Sequence, residues 1–255
     1  MTPPPIVQIY EIQTPEEARA VIRLGADHVG SVITSMADRH DPVIRETIRV
    51  VREERAVSSL IPLYTDTGAV FDTLDYYQPD IIHFCEQLSD PEAIDTAFEL
   101  QSAVRRAFPV TRIMRAIPIA RQDADGGSAV LKLADQFARV SDFFLTDTVL
   151  VSSGAAADAD QPVNGFVGIT GMTCDWTTAS RLVAESPVPV ILAGGISPEN
   201  VADAIHQVRP YGVDSCTQTN ARDAKGRPIR FKKDLTRVKL MIERAKQAGG
   251  QLPSA

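Results

Sequence analysis

The chain predicts an α/β fold closed as a parallel (β/α)8 barrel, the TIM-barrel architecture. Three observations carry that prediction. Eight short apolar runs alternate with amphipathic segments from end to end; the segments between them have helical spacing; and 255 residues match the roughly 250 that such a barrel needs. The candidate strands are Ile6–Ile12, His28–Ile33, Ser58–Tyr64, Ile81–Phe84, Arg112–Ile119, Asp142–Thr146, Val188–Ala193 and Gly212–Ser215. Right-handed crossovers between parallel strands favour a closed barrel over an open doubly wound sheet, which puts ligand sites at the strand C-termini.

In chain order, the first helix is announced by Thr14-Pro15-Glu16-Glu17, where Thr14 and Glu17 form a capping box around a first-turn proline, followed by Ala18, Val21, Ile22 and Leu24 on one face. Ser89-Asp90-Pro91-Glu92 starts another helix the same way. Residues 149–167 carry a small, polar run from Ser152 to Asp160 and read as a long loop, either a lid or an idle surface insertion. Val190 to Leu192 then runs into Ala193, Gly194 and Gly195, after which Ser197 is expected to cap a helix with Pro198 at its first position. Glycines after a doubly covered strand, facing a helix N-terminus, make a cradle for an anion such as a sugar phosphate; a plain strand-to-helix turn is the alternative. Residues 220–230 read as a second, mixed-charge loop and 247–255 as a frayed tail, within one domain spanning residues 1–255.

Composition excludes several classes. With 26 Lys+Arg against 33 Asp+Glu, a net charge of -7 and no long basic run, neither nucleic acid nor an anionic membrane surface is an expected partner. No segment is long enough to span a bilayer, and the opening Met1-Thr2-Pro3-Pro4-Pro5 lacks the pattern of a signal peptide. Cys85, Cys174 and Cys216 are odd in number and far apart, so reduced thiols and a cytoplasmic location are expected. Together with His83 they lack metal-ligand spacing, and no metal site is assigned. No oligomeric state is assigned either.

The sixth strand ends Phe144-Leu145-Thr146-Asp147-Thr148, and after the loop comes Gly168-Ile169-Thr170-Gly171-Met172-Thr173-Cys174-Asp175-Trp176; the glycine cradle and Gly212-Val213-Asp214 follow. This order resembles the phosphoribosylanthranilate isomerase family of tryptophan biosynthesis, whose pattern runs LLDS, GGTGxxFDW, LAGGLxPENV, GVD. The family's KICGIT-x-PEDA falls on Gln8 to Ala18, and its GFVF…SPR on Gly30-Ser31-Val32-Ile33 and Asp38-Arg39. The resemblance implies a cofactor-free Amadori rearrangement of an N-glycoside of ribose 5-phosphate to a 1-amino-1-deoxyribulose phosphate. It needs an acid at the furanose oxygen, a base at C2, a phosphate cradle and a cation for the anthranilate carboxylate.

By the same resemblance Asp147 is the general acid, Arg39 binds the carboxylate, and Asp214 lies near the sugar hydroxyls. A helix cap, a solvated loop arginine and a structural hydrogen bond are the respective alternatives. Gly194, Gly195, Thr217 and Gln218 are the phosphate-binding candidates, although Cys216-Thr217-Gln218-Thr219-Asn220 stands where the family has Ser-Ser-Gly-Val-Glu.

The pattern breaks at the base. Tyr10 replaces the family's first-strand cysteine and Gln8 its lysine, and a phenol titrating at about 10 is a poor base. Strand alternation points Glu11 outward unless the strand end twists. In the fourth strand His83-Phe84-Cys85-Glu86 replaces Q-L-H-G, with His83 and Cys85 on one face. The Cys85 thiol would act as a base only if a cation such as Arg115 depressed its pKa; the preferred reading is a small buried hydrophobe beside a core imidazole. The expected catalytic set is therefore Asp147, Tyr10 and Cys85, with Arg39, His83, Arg115 and Asp214 on the substrate. The alternatives are a barrel of this lineage that only binds a phosphorylated metabolite, as a sensor or partner protein, and another sugar-phosphate isomerase or epimerase. An aldolase is disfavoured, since no strand end carries a Schiff-base lysine.

Overall fold

A computed structural model describes residues 4–122, 127–149, 165–168 and 170–251. Eight strands, β1 (Ile6–Ile9), β2 (His28–Ile33), β3 (Val57–Pro62), β4 (Ile81–Phe84), β5 (Arg112–Ala120), β6 (Phe143–Val149), β7 (Val190–Leu192) and β8 (Gly212–Ser215), pair in chain order as a closed barrel. The parallel pairing of Ile6–Ile9 with Gly212–Ser215 shuts it. Around it lie α1 (Pro15–Arg23), α2 (Pro42–Glu53), α3 (Thr67–Tyr77), α4 (Pro91–Ala107), α5 (Ser128–Phe137), α6 (Trp176–Glu185), α7 (Val201–Val208) and α8 (Leu235–Gly250). Thr14, Asp41 and Asp90 each cap a helix whose first turn holds a proline, which has no N–H to leave unpaired there.

Alternation divides each strand between two cores. Met114 and Ala116 of β5, with Ile81, Cys85, Phe143, Leu145, Ile191 and Ala193, fill the barrel interior. Ile113 and Ile117 of β5 instead join the layers between strands and helices.

Five expectations need correction. Strand β1 stops at Ile9, because Glu11 takes a left-handed backbone with φ 63° that no strand continues. Residues 220–230 are no loop: β9 (Asn220–Arg222) and β10 (Pro228–Lys233) pair antiparallel. Asp223 Oδ1 accepts from the Lys225 and Arg227 amides and Gly226 supplies φ 78°, which closes the hairpin turn. The end of the chain is not frayed as far as Gly250, since Ala248 and Gly249 are buried and the small Gly249 packs on Pro4 and Pro5. Finally, α7 starts at Val201 rather than Pro198: the Ser197 hydroxyl accepts from the Glu199 amide and Asn200 Oδ1 accepts from the Ser197 amide, holding one separate turn ahead of the helix. The Thr14 cap is also one-sided, since Glu17 accepts from the Lys233 amide instead.

Most of the 149–167 loop lies outside the described residues. Its end, however, is fixed across β4: Gln87 donates to the Gly165 carbonyl and Val167 to that of Cys85.

Candidate active site

The strand C-termini surround one pocket. Tyr10 and Glu11 enter it from the end of β1, His83 and Cys85 from β4, Asp147 from β6, Gly194 and Gly195 from the β7 turn, and Asp214, Cys216, Thr217 and Gln218 from the β8 end. Inward alternation explains two of these residues, since Asp147 follows Phe143 and Leu145 on one face of β6, as Tyr10 follows Gln8 from β1.

Asp147 is half-buried, and desolvation lifts its carboxyl to about 7 against the opposing hydrogen bond from the Thr148 amide to Oδ1 (2.8 Å). Any side chain at Gly168 would collide with its Oδ2, so the segment after the loop lies directly on this acid. Asp214 is also lifted to about 7 by burial, with Gln8 Nε2 donating to Oδ1 at 3.2 Å and Lys233 pulling the other way. Gln8 in turn bonds His28 Nδ1 through Oε1 (3.2 Å).

Tyr10 is held as a neutral phenol. Its Oη makes hydrogen bonds with Ser59 Oγ (2.5 Å) and His83 Nδ1 (2.9 Å), and burial raises its pKa well above the ordinary value. The ring fits only because β2 presents Gly30, where any side chain would collide with it. His83 is buried neutral, its pKa lowered to about 3 by burial and by Arg115, and its Nε2 has no partner among the described residues.

Cys85 is not activated. Burial, Glu86 and Asp147 push its thiol up and outweigh Arg115, which pulls it down from the outward face of β5. There Arg115 Nη1 donates to Glu86 Oε1 (2.5 Å), Nη2 donates to the Glu86 carbonyl (2.7 Å), and the guanidinium covers the Phe137 ring. Alternation from Met114 and Ala116 is the signal that places it outside the pocket. Arg39 also lies outside, in the connection after β2, donating to Asp72 Oδ2 (2.6 Å) and to the Met36 carbonyl (3.0 Å).

Glu11 is the residue that alternation misplaced. Its left-handed backbone turns the carboxylate inward, where Asn220 Nδ2 donates to Oε2 (2.9 Å) and Arg230 Nε to Oε1 (2.6 Å). Burial works to raise its pKa, yet Arg230, Asn220 and Lys233 together hold it below the ordinary carboxylate range.

The glycine turn has the form of a cradle. Gly194 (φ 82°) and Gly195 (φ 61°) are left-handed, and a side chain on either would collide, with Thr148 Oγ1 or with the Met172 backbone respectively. Thr148 Oγ1 donates to the Met172 carbonyl (2.7 Å) and Gln218 Nε2 to that of Gly171 (2.9 Å), drawing the segments after β6 and β8 over the turn.

The family model described as "PRAI: N-(5'phosphoribosyl)anthranilate (PRA) isomerase" matches residues 7–217. The chain belongs to the phosphoribosylanthranilate isomerase family. N-(5'-phosphoribosyl)anthranilate isomerase of Methanothrix thermoacetophila is 29% identical over 244 residues, 91% of this chain and 97% of its own. That of Haloferax volcanii is 28% identical over 252 residues, covering 96% and 94%. Among solved structures, the Pyrococcus furiosus isomerase superposes with a TM-score of 0.62 at 22% identity, covering 95% of this chain and 99% of its own. An isomerase solved with reduced 1-(o-carboxyphenylamino)-1-deoxyribulose 5-phosphate gives 0.63 at 19%, with the same coverage. These two likenesses bear on the fold alone. Asp147 and Asp214 are the pocket carboxyls lifted to about 7, whereas Glu11 is held low. No helix among the described residues is long and apolar enough to cross a membrane.

Proposed function

We propose that this barrel isomerises N-(5'-phosphoribosyl)anthranilate, or a closely similar N-(5-phosphoribosyl) amine, to the 1-amino-1-deoxyribulose 5-phosphate, the Amadori step of tryptophan biosynthesis, in the cytoplasm. Family membership supports the reaction class, and the single observation that carries the chemistry is Asp147, a carboxyl lifted to about 7 at the end of β6 inside the pocket. Protonated, it donates to the furanose oxygen as the C1–O bond breaks and the amine lone pair forms the C1=N iminium. The phosphate is assigned to the Gly194-Gly195 turn with Thr217 and Gln218, where positive-φ glycines admit an anion close to the backbone. Arg39 is assigned to the amine's carboxylate, which requires it to leave Asp72.

The neutral phenol at position 10 favours a second reading, a barrel that binds the sugar phosphate without turning it over. Anthranilate-fluorescence turnover separates the two. Asp147→Asn should lower kcat by ~100- to 10,000-fold, the usual size of a general-acid contribution, while inorganic phosphate still raises Tm. A parent protein that phosphate stabilises but that turns nothing over would establish the binding role instead.

A further inference from the structure

The isomerisation needs a second proton-transfer group, and most inward-facing candidates are already committed. Tyr10 Oη is shared between Ser59 and His83. Each Glu11 oxygen accepts a hydrogen bond, one from Asn220 and one from Arg230. Burial, Glu86 and Asp147 hold the Cys85 thiol protonated, and the Arg115 cation is bound to Glu86. Asp214 is different: its Oδ1 accepts from Gln8, and its Oδ2 carries no hydrogen bond among the described residues. It is 6% exposed and lines the same pocket as Asp147. Strand β8 is also the neighbour of β1 in the barrel, with Gln8 opposite Asp214 and the Tyr10 amide donating to the Ser215 carbonyl (3.2 Å). Asp214 therefore approaches the pocket from beside the first-strand position that carries the family's base.

We propose that Asp214 is the catalytic base of this protein, standing in from the adjoining strand for the group that Tyr10 replaces. The inference rests on the isomerase reading. After Asp147 has opened the ring, Asp214 takes the C2 proton; the C–H pair becomes the C1=C2 bond and the C1=N pair returns to nitrogen, giving the enolamine. Asp214 then delivers that proton to C1 while the C2 hydroxyl loses its own to the Asp147 carboxylate. The ketone forms, and both carboxyls regain their starting states.

The surroundings suit the role. Burial raises Asp214 and Asp147 repels it, while the Gln8 hydrogen bond and Lys233 favour its ionised form; Tyr10 and Cys216, which also face it, are neutral. Asp147 has only the Thr148 amide in its favour. Two carboxyls that repel each other titrate as one pair, here near neutrality, and the reaction runs through the form that has the proton on Asp147 and Asp214 ionised. A lysine at position 8, as in the family pattern, would hold Asp214 ionised and weaken it as a base. Gln8 keeps it titrating at the pH of the reaction.

The test is the pH dependence of anthranilate-fluorescence turnover. Asp214→Asn should lower kcat by ~100- to 10,000-fold, with KM and the phosphate-induced Tm rise within twofold of the parent, and the acid-side limb of the profile should vanish. Gln8→Lys should move that limb at least one pH unit lower, a change that a purely structural Asp214 would not produce, and it decides the matter alone if Asp214→Asn does not fold. An Asp214→Asn protein within threefold of the parent rate with its acid limb intact, or a Gln8→Lys limb that stays in place, would overturn the assignment and leave the isomerase reading standing. No turnover by the parent would remove both.

Discussion

A carboxyl that titrates at about 7 inside a folded barrel works against the fold. Unfolded, Asp147 titrates at about 3.9, so its native form holds a proton that the unfolded chain releases. The associated stability is fully present below about pH 4 and is lost as pH rises through 7, by at most about 4 kcal/mol for this group at 1.36 kcal/mol per unit. Asp214 acts in the same direction, and the two couple, so their effects do not add. Glu11 has the opposite sign: its lowered pKa gives stability that is present above about 4.3 and lost as pH falls through its native value. Below about pH 6.5 the buried neutral His28 and His83 act against the aspartates, because the unfolded chain takes up protons that they refuse; above it the aspartates decide, and Tm should fall from about pH 6.5 to 8. Asp147→Asn should flatten the decline and raise Tm at pH 8, as a pH series by differential scanning calorimetry will read out; an unchanged slope would mean that the carboxyl is not held protonated. Both aspartates were legible from sequence because each ends a barrel strand within a family motif. Glu11 was not, because alternation carries no information about a single left-handed residue.

All eight strands could be read as apolar runs, because strands covered on both faces leave no other composition. The hairpin of β9 and β10 could not, since its residues are polar and half exposed and its only signal is the turn at Asp223 and Gly226. The phosphate turn was legible in its glycines but not in the start of α7, where Ser197 and Asn200 hold a separate turn. The turn's geometry makes a sharp contrast available. Gly195→Ala should destabilise by more than ~1 kcal/mol and abolish the phosphate-induced Tm rise, because its methyl meets the Met172 backbone at a left-handed position. Gly226→Ala meets nothing but keeps the left-handed strain, so it should cost about 1–2 kcal/mol and leave the phosphate response intact. Equal phosphate responses in the two variants would move the anion site elsewhere.

Across the whole molecule, the last part of the chain is bound to its first 25 residues. Asn220 and Arg230 hold Glu11, the Lys233 amide holds Glu17, Lys246 Nζ donates to the Gly25 carbonyl, and Gly249 packs on Pro5. Removing one partner from such a contact leaves a buried charge unsatisfied. Arg230→Met should therefore lower stability by about 1.5–3 kcal/mol in urea denaturation, and adding Glu11→Gln should recover part of the loss. If the single change costs under ~0.5 kcal/mol, the pair is only a surface contact.

The hairpin lies beyond residues 7–217, the stretch the family model matches, yet it holds Glu11, a residue of the pocket wall. During synthesis its residues are made long after Glu11, to which Asn220 binds across 209 positions of sequence. A growing chain with β1 to β7 already made still has β1 as an open edge, its Glu11 carboxylate uncompensated. Such contacts are slow to close and leave exposed strand edges while they wait. Barrel closure and assembly of the site thus become one late event, and a nascent chain of this protein gains its pocket only when nearly all of it has been made.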